Sequence, residues 1–304
     1  MEFDIVDIDL GRQGQVIEHR EDIALIDADT LVYASCVVNE VQNELFSENF
    51  YTPEEWKDLL NDPGYCKEDH TIYSIDLDTT MIHCKDKIQG ILDETGCTDY
   101  ELHFTAGRTS FRYTKVNPEY KANRTGRTPV GILDIKKMFV EAEPDKAFIW
   151  YEWEADDIVV AKKAQWPDKY LLVALDKDVL YSLEGTHFNY YSSTLYNKEM
   201  HFFEVTAEQA LKHHYLQTLT GDAGDGVIGL KGIGPKKAEK ILANCTTHQE
   251  CWKDVVRAYE EIKVLKNGNP ATEVDAILNM RLVSMNQLVL NDKQEWEVKL
   301  WKPM

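Results

Sequence analysis

The stretch AFIWYEWEADDIVVAKKAQWPDKYLLVALDKD, residues 147–178, decides the fold. Ala147–Trp150 and Leu171–Leu175 are short apolar runs of the kind that form buried strands. Residues 154–165 between them have the spacing of an amphipathic helix. Strand, helix, strand implies a parallel pair joined by a crossover, and so a sheet covered on both faces. Each strand is followed at once by acids: Glu154, Asp156 and Asp157 after the first, Asp176 and Asp178 after the second.

Working outward, Ile23–Ile26 and Leu102–Phe104 read as further buried strands, with Asp27 directly after the first. Amphipathic segments near 76–95 and 129–143 supply more helices. Thr52-Pro53-Glu54-Glu55 has a cap residue, a proline at the first turn and a glutamate at the box position, and so starts a helix. It lies in an acidic insertion at about 40–78. From about 206 the pattern turns helical, with Thr206 as a cap, a glycine-rich turn region, a helix from Pro235 and two more over 249–263 and 271–287. The alternating tail 295–301 fits an edge strand. The expected architecture is therefore α/β, with a central, mostly parallel sheet flanked by helices over 1–205 and a helical part over 206–304.

Composition excludes several classes. The chain has 304 residues, 43% hydrophobic and 11% aromatic, which rules out wholesale disorder. No apolar run approaches the length of a membrane helix. The acidic start MEFDIVDIDL lacks the layout of a signal peptide, so the expectation is a cytoplasmic protein with its six cysteines reduced. No phosphate-binding loop of the GxxxxGK type is present.

The net charge of −20 argues against nucleic acid, but its distribution does not. Residues 1–100 hold 24 acids against 6 bases, whereas 107–137 hold eight bases and only two acids, Glu119 and Asp134. A basic stripe within an acidic protein is a local footprint for phosphate. Arg108, Arg112, Lys115, Tyr120, Lys121, Arg124 and Arg127 lie in it, and Tyr120 is a candidate for stacking on a base. A second footprint is GLKGIGPKKAEKIL, 229–242, a glycine hairpin opening a helix with Lys231, Gly232, Gly234, Lys236 and Lys237 placed to hold a backbone. Such contacts position nucleic acid without reading bases.

The acids carry the chemistry. Ligands of open parallel sheets bind beyond the carboxyl ends of the strands. Three strands deliver Asp27, Glu154, Asp156, Asp157, Asp176 and Asp178 there, and GDAGDG can add Asp222 and Asp225. So many carboxylates cannot all stay ionised unaided, which calls for hard divalent cations such as Mg²⁺. Two such ions suit phosphodiester hydrolysis. If 222–225 is helical, its two aspartates share a face. Glu154, Asp156 and Asp157 converge only if Glu154 lies in the strand-to-helix turn.

In this order and spacing, Asp27, EYKANR (119–124), WEADD (153–157), DKD (176–178), GDAGDG (221–226) and GIGPKKA (232–238) resemble the 5′-nuclease (flap endonuclease) family over roughly 22–245. The short run from Lys121 to Glu154, its TPVG and the LWKP ending look most like the 5′→3′ replication exonucleases of short-tailed phages. The resemblance implies a PIN-like nuclease domain followed by a helix–three-turn–helix, and two divalent ions, Mg²⁺ or Mn²⁺. Asp27, Glu154, Asp156 and Asp176 would surround the catalytic ion, Asp178, Asp222 and Asp225 would serve the other, and Asp157 would belong to the same network. Asp27, Asp176, Lys121 and Arg124 become the catalytic set, the last two at the scissile phosphate, and the hairpin around Gly232–Gly234 would hold K⁺. The implied partners are DNA with 5′ ends or flaps, RNA–DNA hybrids and replication proteins. The expected activity is a 5′→3′ exonuclease, with a structure-specific flap endonuclease as the alternative. One departure stands out: the family has an aspartate at the end of the second strand, where this chain reads HFTAGR, with Thr105 or Ala106. Asp29 and Asp99 are the nearest acids by sequence. A DNA-binding protein with a disarmed site is accordingly the third reading.

Overall fold

β1 (Arg20–Asp27) and β7 (Tyr170–Ala174) are parallel neighbours at the centre of a six-stranded sheet in this computed structural model, which describes residues 20–44, 51–67, 71–190 and 201–303. The full order is β6 (Ala147–Trp150), β5 (Cys97–Thr105), β1, β7, β8 (Gly185–Asn189), β9 (His201–Val205). All pairs are parallel except β8 with β9. The carboxyl ends of β1, β5, β6 and β7 therefore share one edge.

The alternation of strand side chains builds a core on each face. Ala24, Ile26, Leu102, Phe104, Leu171 and Val173 pack with α1 (Asp29–Asn39), α3 (Leu77–Thr95) and α4 (Ile132–Ala142), through residues such as Leu31, Ile88 and Phe139. Leu25, Leu172 and Ala174 face the other way, onto Val159 and Val160 of α5 (Ala155–Gln165). This is the two-faced covering that the continuous apolar strands require.

The acidic insertion forms a small antiparallel sheet, β2 (Glu40–Glu44), β4 (Thr71–Ile75) and β3 (Tyr65–Cys66), with α2 (Pro53–Leu60) started by the Thr52–Glu55 capping box. After Val205 the chain is helical: α7 (Ala207–Thr220), α8 (Pro235–Ile241), α9 (His248–Ile262) and α10 (Glu273–Val283) share a separate core around Tyr215, Leu230, Trp252, Val255, Tyr259 and Met280. A short α6 (Lys177–Leu180) follows β7. Between α7 and α8 lies a tight hairpin, β10 (Gly221–Asp222) and β11 (Val227–Ile228). Gly221 and Gly229 make it possible: a Cβ on Gly221 would stand 2.3 Å from the Gly229 nitrogen.

The alternating tail forms the strand read from it, β13 (Trp296–Val298), which among the described residues pairs with β12 (Leu288–Leu290) in a two-stranded sheet of its own. The helix expected to run to 287 is shorter. The last helix ends at Val283 because Ser284 turns extended and leads into β12. Among the described residues, no helix is long and apolar enough to cross a membrane.

Candidate active site

The shared edge gathers the acids. Asp27 is the last residue of β1, and Asp176 caps α6 at the end of β7, its side chain accepting from the Asp178 N–H at 2.8 Å. Glu154 is the N-cap of α5, with extended backbone at φ −83° and ψ 153°, so it stands in the turn out of β6. That turn lets Glu154, Asp156 and Asp157 converge: one oxygen from each lies within 4.8 Å of the others. The stretch 221–226 is not helical. Asp222 Oδ1 instead accepts from the N–H groups of Gly224 (2.7 Å) and Asp225 (3.3 Å), a side-chain turn that the spacing argument missed.

Crowding marks these groups. Burial pushes the Asp27 carboxyl up to about 7, helped by Asp29 and Asp176. Burial and then Glu154 and Asp157 hold Asp156 well above the carboxylate range. Asp176 is raised by burial and Asp178, and Asp222 by burial and Asp225. Glu154 moves the other way: burial opposes ionisation, but Lys121 and Arg112 overcome it. Asp178 is also lowered against burial, by His213, whose Nε2 lies 3.3 Å from Oδ1. An edge of hard oxygen donors, with the carboxyls of Asp27, Asp156, Asp176 and Asp222 raised by burial and by one another's charge, fits a hard divalent cation.

A carboxyl with a raised folded-state pKa holds its proton until about pH 7, and in the metal-free protein its contribution to stability is lost as the pH rises toward that value. A cation must displace that proton, so stabilisation by Mg²⁺ should grow as pH rises through about 7. Thermal melts at pH 5.5 and pH 8, each with Mg²⁺ and with EDTA, measure it. An equal Mg²⁺ increment at both values would contradict the assignment.

The basic segment docks directly on this edge. The Lys121 N–H donates to Asp225 O (3.1 Å), Asn123 Nδ2 to Ala223 O (2.5 Å), and Arg124 Nε to Gly224 O (3.1 Å). Lys121, at a left-handed φ of 56°, turns Nζ onto Glu154 Oε1 at 2.9 Å, with Asp225 Oδ2 at 3.7 Å. Its ammonium is held charged against burial by Glu154, Asp156 and Asp225. Arg124, still half-exposed, donates to Asp225 Oδ1 at 2.5 Å. Two motifs about a hundred residues apart thus form one junction of cations over carboxylates.

Several expected nucleic-acid contacts are elsewhere. Arg112 is fully buried: Nη1 and Nη2 clasp Asp157 at 2.5 and 2.8 Å, and Nη1 also reaches Glu154 at 3.1 Å. It cannot touch DNA, and it occupies both oxygens of Asp157, so that acid orients the cluster from behind. Tyr120 is 1% exposed, with its hydroxyl donating to Asp225 Oδ2 (2.7 Å) and reaching Glu154 (3.3 Å), and so is not available to stack on a base. Arg127 is paired with Glu40 of the acidic insertion and lies over the Tyr73 ring. Lys237 donates to Gly232 O at 2.8 Å, within the hairpin expected to hold K⁺. Arg108 is exposed but donates to the Lys121 and Arg124 carbonyls, and Lys115, Lys231 and Lys236 face solvent. Gly234 is the N-cap of α8.

The pairings that brace the site, Arg112 with Asp157 and Lys136 with Asp29, are not legible in the sequence. The only sequence signal was their place in the basic stripe. Asp99 is far from filling the gap at Thr105: it pairs with Lys146, near the opposite end of β5.

No protein-family model matches the chain. By sequence it is 26% identical over 218 residues to DNA polymerase I of Bacillus caldotenax, covering 63% of this chain and 24% of the polymerase. A second relative, DNA polymerase I of Caldicellulosiruptor bescii, is 24% identical over 169 residues, 48% of this chain and 20% of that one. The chain thus spans about a quarter or less of the length of these relatives. Among solved structures, a bacteriophage T5 flap endonuclease in a pseudo-enzyme–product complex with DNA and metal ions superposes with a TM-score of 0.50 at 16% identity, over 87% of this chain and 89% of that one. Flap endonuclease-1 from Methanococcus jannaschii gives 0.48 at 12% identity, over 93% and 83%. The central, mostly parallel sheet with its flanking helices is the fold of the 5′-nuclease and flap endonuclease family, and it is the fold of this chain.

Proposed function

We propose that the chain is a metal-dependent 5′→3′ nuclease that hydrolyses phosphodiester bonds in DNA and in the RNA of RNA–DNA hybrids, using two divalent ions, Mg²⁺ or Mn²⁺. The observation that carries the reading is the junction of Lys121 and Arg124 with Glu154 and Asp225, cations set over a crowded carboxylate edge. Asp27, Glu154, Asp156 and Asp176, with Asp178, Asp222 and Asp225, are the acids that would hold the ions. A bound ion supplies Lewis-acid stabilisation and lowers the pKa of a water. Lys121 and Arg124 supply fixed positive charge for the phosphate undergoing attack, which is worth most where water is excluded. Arg124 adds the fork geometry suited to phosphate oxygens. The α8 end, with Lys231 and Lys236, grips the duplex backbone without base preference. Replication proteins as partners, and a role in phage replication, follow only from the resemblance.

Exonucleolytic action is favoured over flap endonuclease action by the basic segment itself. No helix lies between Val116 and Ile132, and residues 121–124 are bonded down onto 223–225. The segment is a clamp on the edge and does not stand up as an arch for a threaded strand. A 5′-labelled duplex with a long single-stranded flap tests this: release of mono- and dinucleotides supports the exonuclease, and one excised flap supports the endonuclease.

A further inference from the structure

The sheet edge carries acids after β1, β6 and β7, but none after β5. β5 ends in Thr105, whose side chain is engaged within the fold: Oγ1 accepts from the Ala155 N–H of α5 at 2.9 Å. The Thr105 N–H donates to both oxygens of Asp29, at 3.1 and 3.2 Å. Lys136 of α4 closes the arrangement, its Nζ donating to Asp29 Oδ1 at 2.6 Å and to Thr105 O at 2.8 Å. The Lys136 side chain is only 9% exposed. A buried ammonium is costly unless paired, so this lysine depends on Asp29. Asp29 in turn is two residues from Asp27, and its N–H lies 3.4 Å from Asp27 Oδ1. Left unpaired, Asp29 would be a hard oxygen donor beside Asp27, on the edge that already holds the other acids.

We propose that Lys136 is a positioning residue of the metal centre: it ties Asp29 to the end of β5, keeps that carboxylate out of the metal's coordination, and leaves Asp27 as the sole ligand from the β1–α1 turn. The inference rests on the nuclease reading for the presence of a metal, and it concerns only which carboxylates of this chain reach it. It also gives the β5 end a neutral pair in place of a free acid, so the edge carries less negative charge than its count of aspartates implies.

Mn²⁺ binding to the DNA-free protein, followed by the electron paramagnetic resonance of unbound Mn²⁺, tests it in four proteins: wild type, Lys136→Met, Lys136→Met with Asp29→Asn, and Asp27→Asn. Lys136→Met removes a positive charge and frees Asp29, and should bind Mn²⁺ about tenfold more tightly. The double variant removes the pair without changing net charge, and should bind within about threefold of wild type. Asp27→Asn should weaken binding by more than about tenfold. A double variant that loses as much affinity as Asp27→Asn would make Asp29 a ligand and overturn the proposal. So would a folded Lys136→Met with unchanged affinity. Should Lys136→Met fail to fold, the double variant decides alone, because removing both members of a buried pair is tolerated far better than removing one. Absence of Mn²⁺ binding by the wild type would defeat the nuclease reading and this one together. The expected ranking in a protein that cleaves no DNA would defeat the nuclease reading only.

Discussion

Replacing Arg112 with methionine should cost about 3–5 kcal/mol of stability, a large share of what a domain possesses. The guanidinium is completely buried and fully used. Beyond Asp157 and Glu154, its Nε donates to Leu282 O at 2.8 Å and its Nη2 to Ser284 O at 3.0 Å. It therefore joins the turn before α5 to the end of α10, and so the sheet to the helical part. Methionine would leave Asp157 a buried carboxylate without its ion-pair partner and Leu282 O without the Arg112 donor, while Ser284 O would keep Gln287 Nε2 at 3.0 Å. Lysine should rescue little, because one ammonium cannot reproduce a fork that meets a carboxylate with two bonds and two carbonyls besides. Urea unfolding measures the effect. A wild-type midpoint for Arg112→Met would contradict the buried network.

Lys121→Met should lower the single-turnover cleavage rate by about 10²- to 10³-fold. Its ammonium is an enclosed cation facing the carboxylates, 13% exposed and held on Glu154. Since one phosphate contact is lost among several, DNA affinity should fall much less, and the slope of log affinity against log salt should drop by about one. Rapid-quench kinetics beside binding at several salt concentrations separate the two effects. A rate near wild type would remove Lys121 from the catalytic set. A loss confined to affinity would make it a docking residue.

The parts of this molecule that obey a period were legible in the sequence. Ala147–Trp150 and Leu171–Leu175 declared a parallel sheet because strands buried on both faces must be apolar throughout; the first lies as read and the second is shifted by one residue, to Tyr170–Ala174. Their trailing acids then had to share an edge, and they do. What the sequence concealed is set by contacts between distant segments. Arg112 reads as one more base in a stripe of eight, yet folding turns it inward onto Asp157 and Leu282. Tyr120 reads as a stacking platform, but its neighbour Lys121 takes a left-handed turn while the Tyr120 ring goes into the core of the helical part. Arg127 and Lys237 are likewise occupied, by Glu40 and by the Gly232 carbonyl. A basic residue's position in a stripe does not tell solvent from counter-ion, because the acid that captures it lies tens of residues away. Thr105 is the same lesson in reverse. By sequence it is a missing acid, and in the fold it caps α5 while Asp29 and Lys136 fill the surrounding space.

The most direct test of the account is a cleavage assay on 5′-labelled duplex DNA with Mg²⁺, with Mn²⁺ and with EDTA, beside Asp176→Ala. Short 5′-terminal products that need the metal and vanish in the variant are the predicted result. Tight DNA binding without cleavage under either metal would contradict it, and would leave a protein with the nuclease fold that holds DNA and does not cut it.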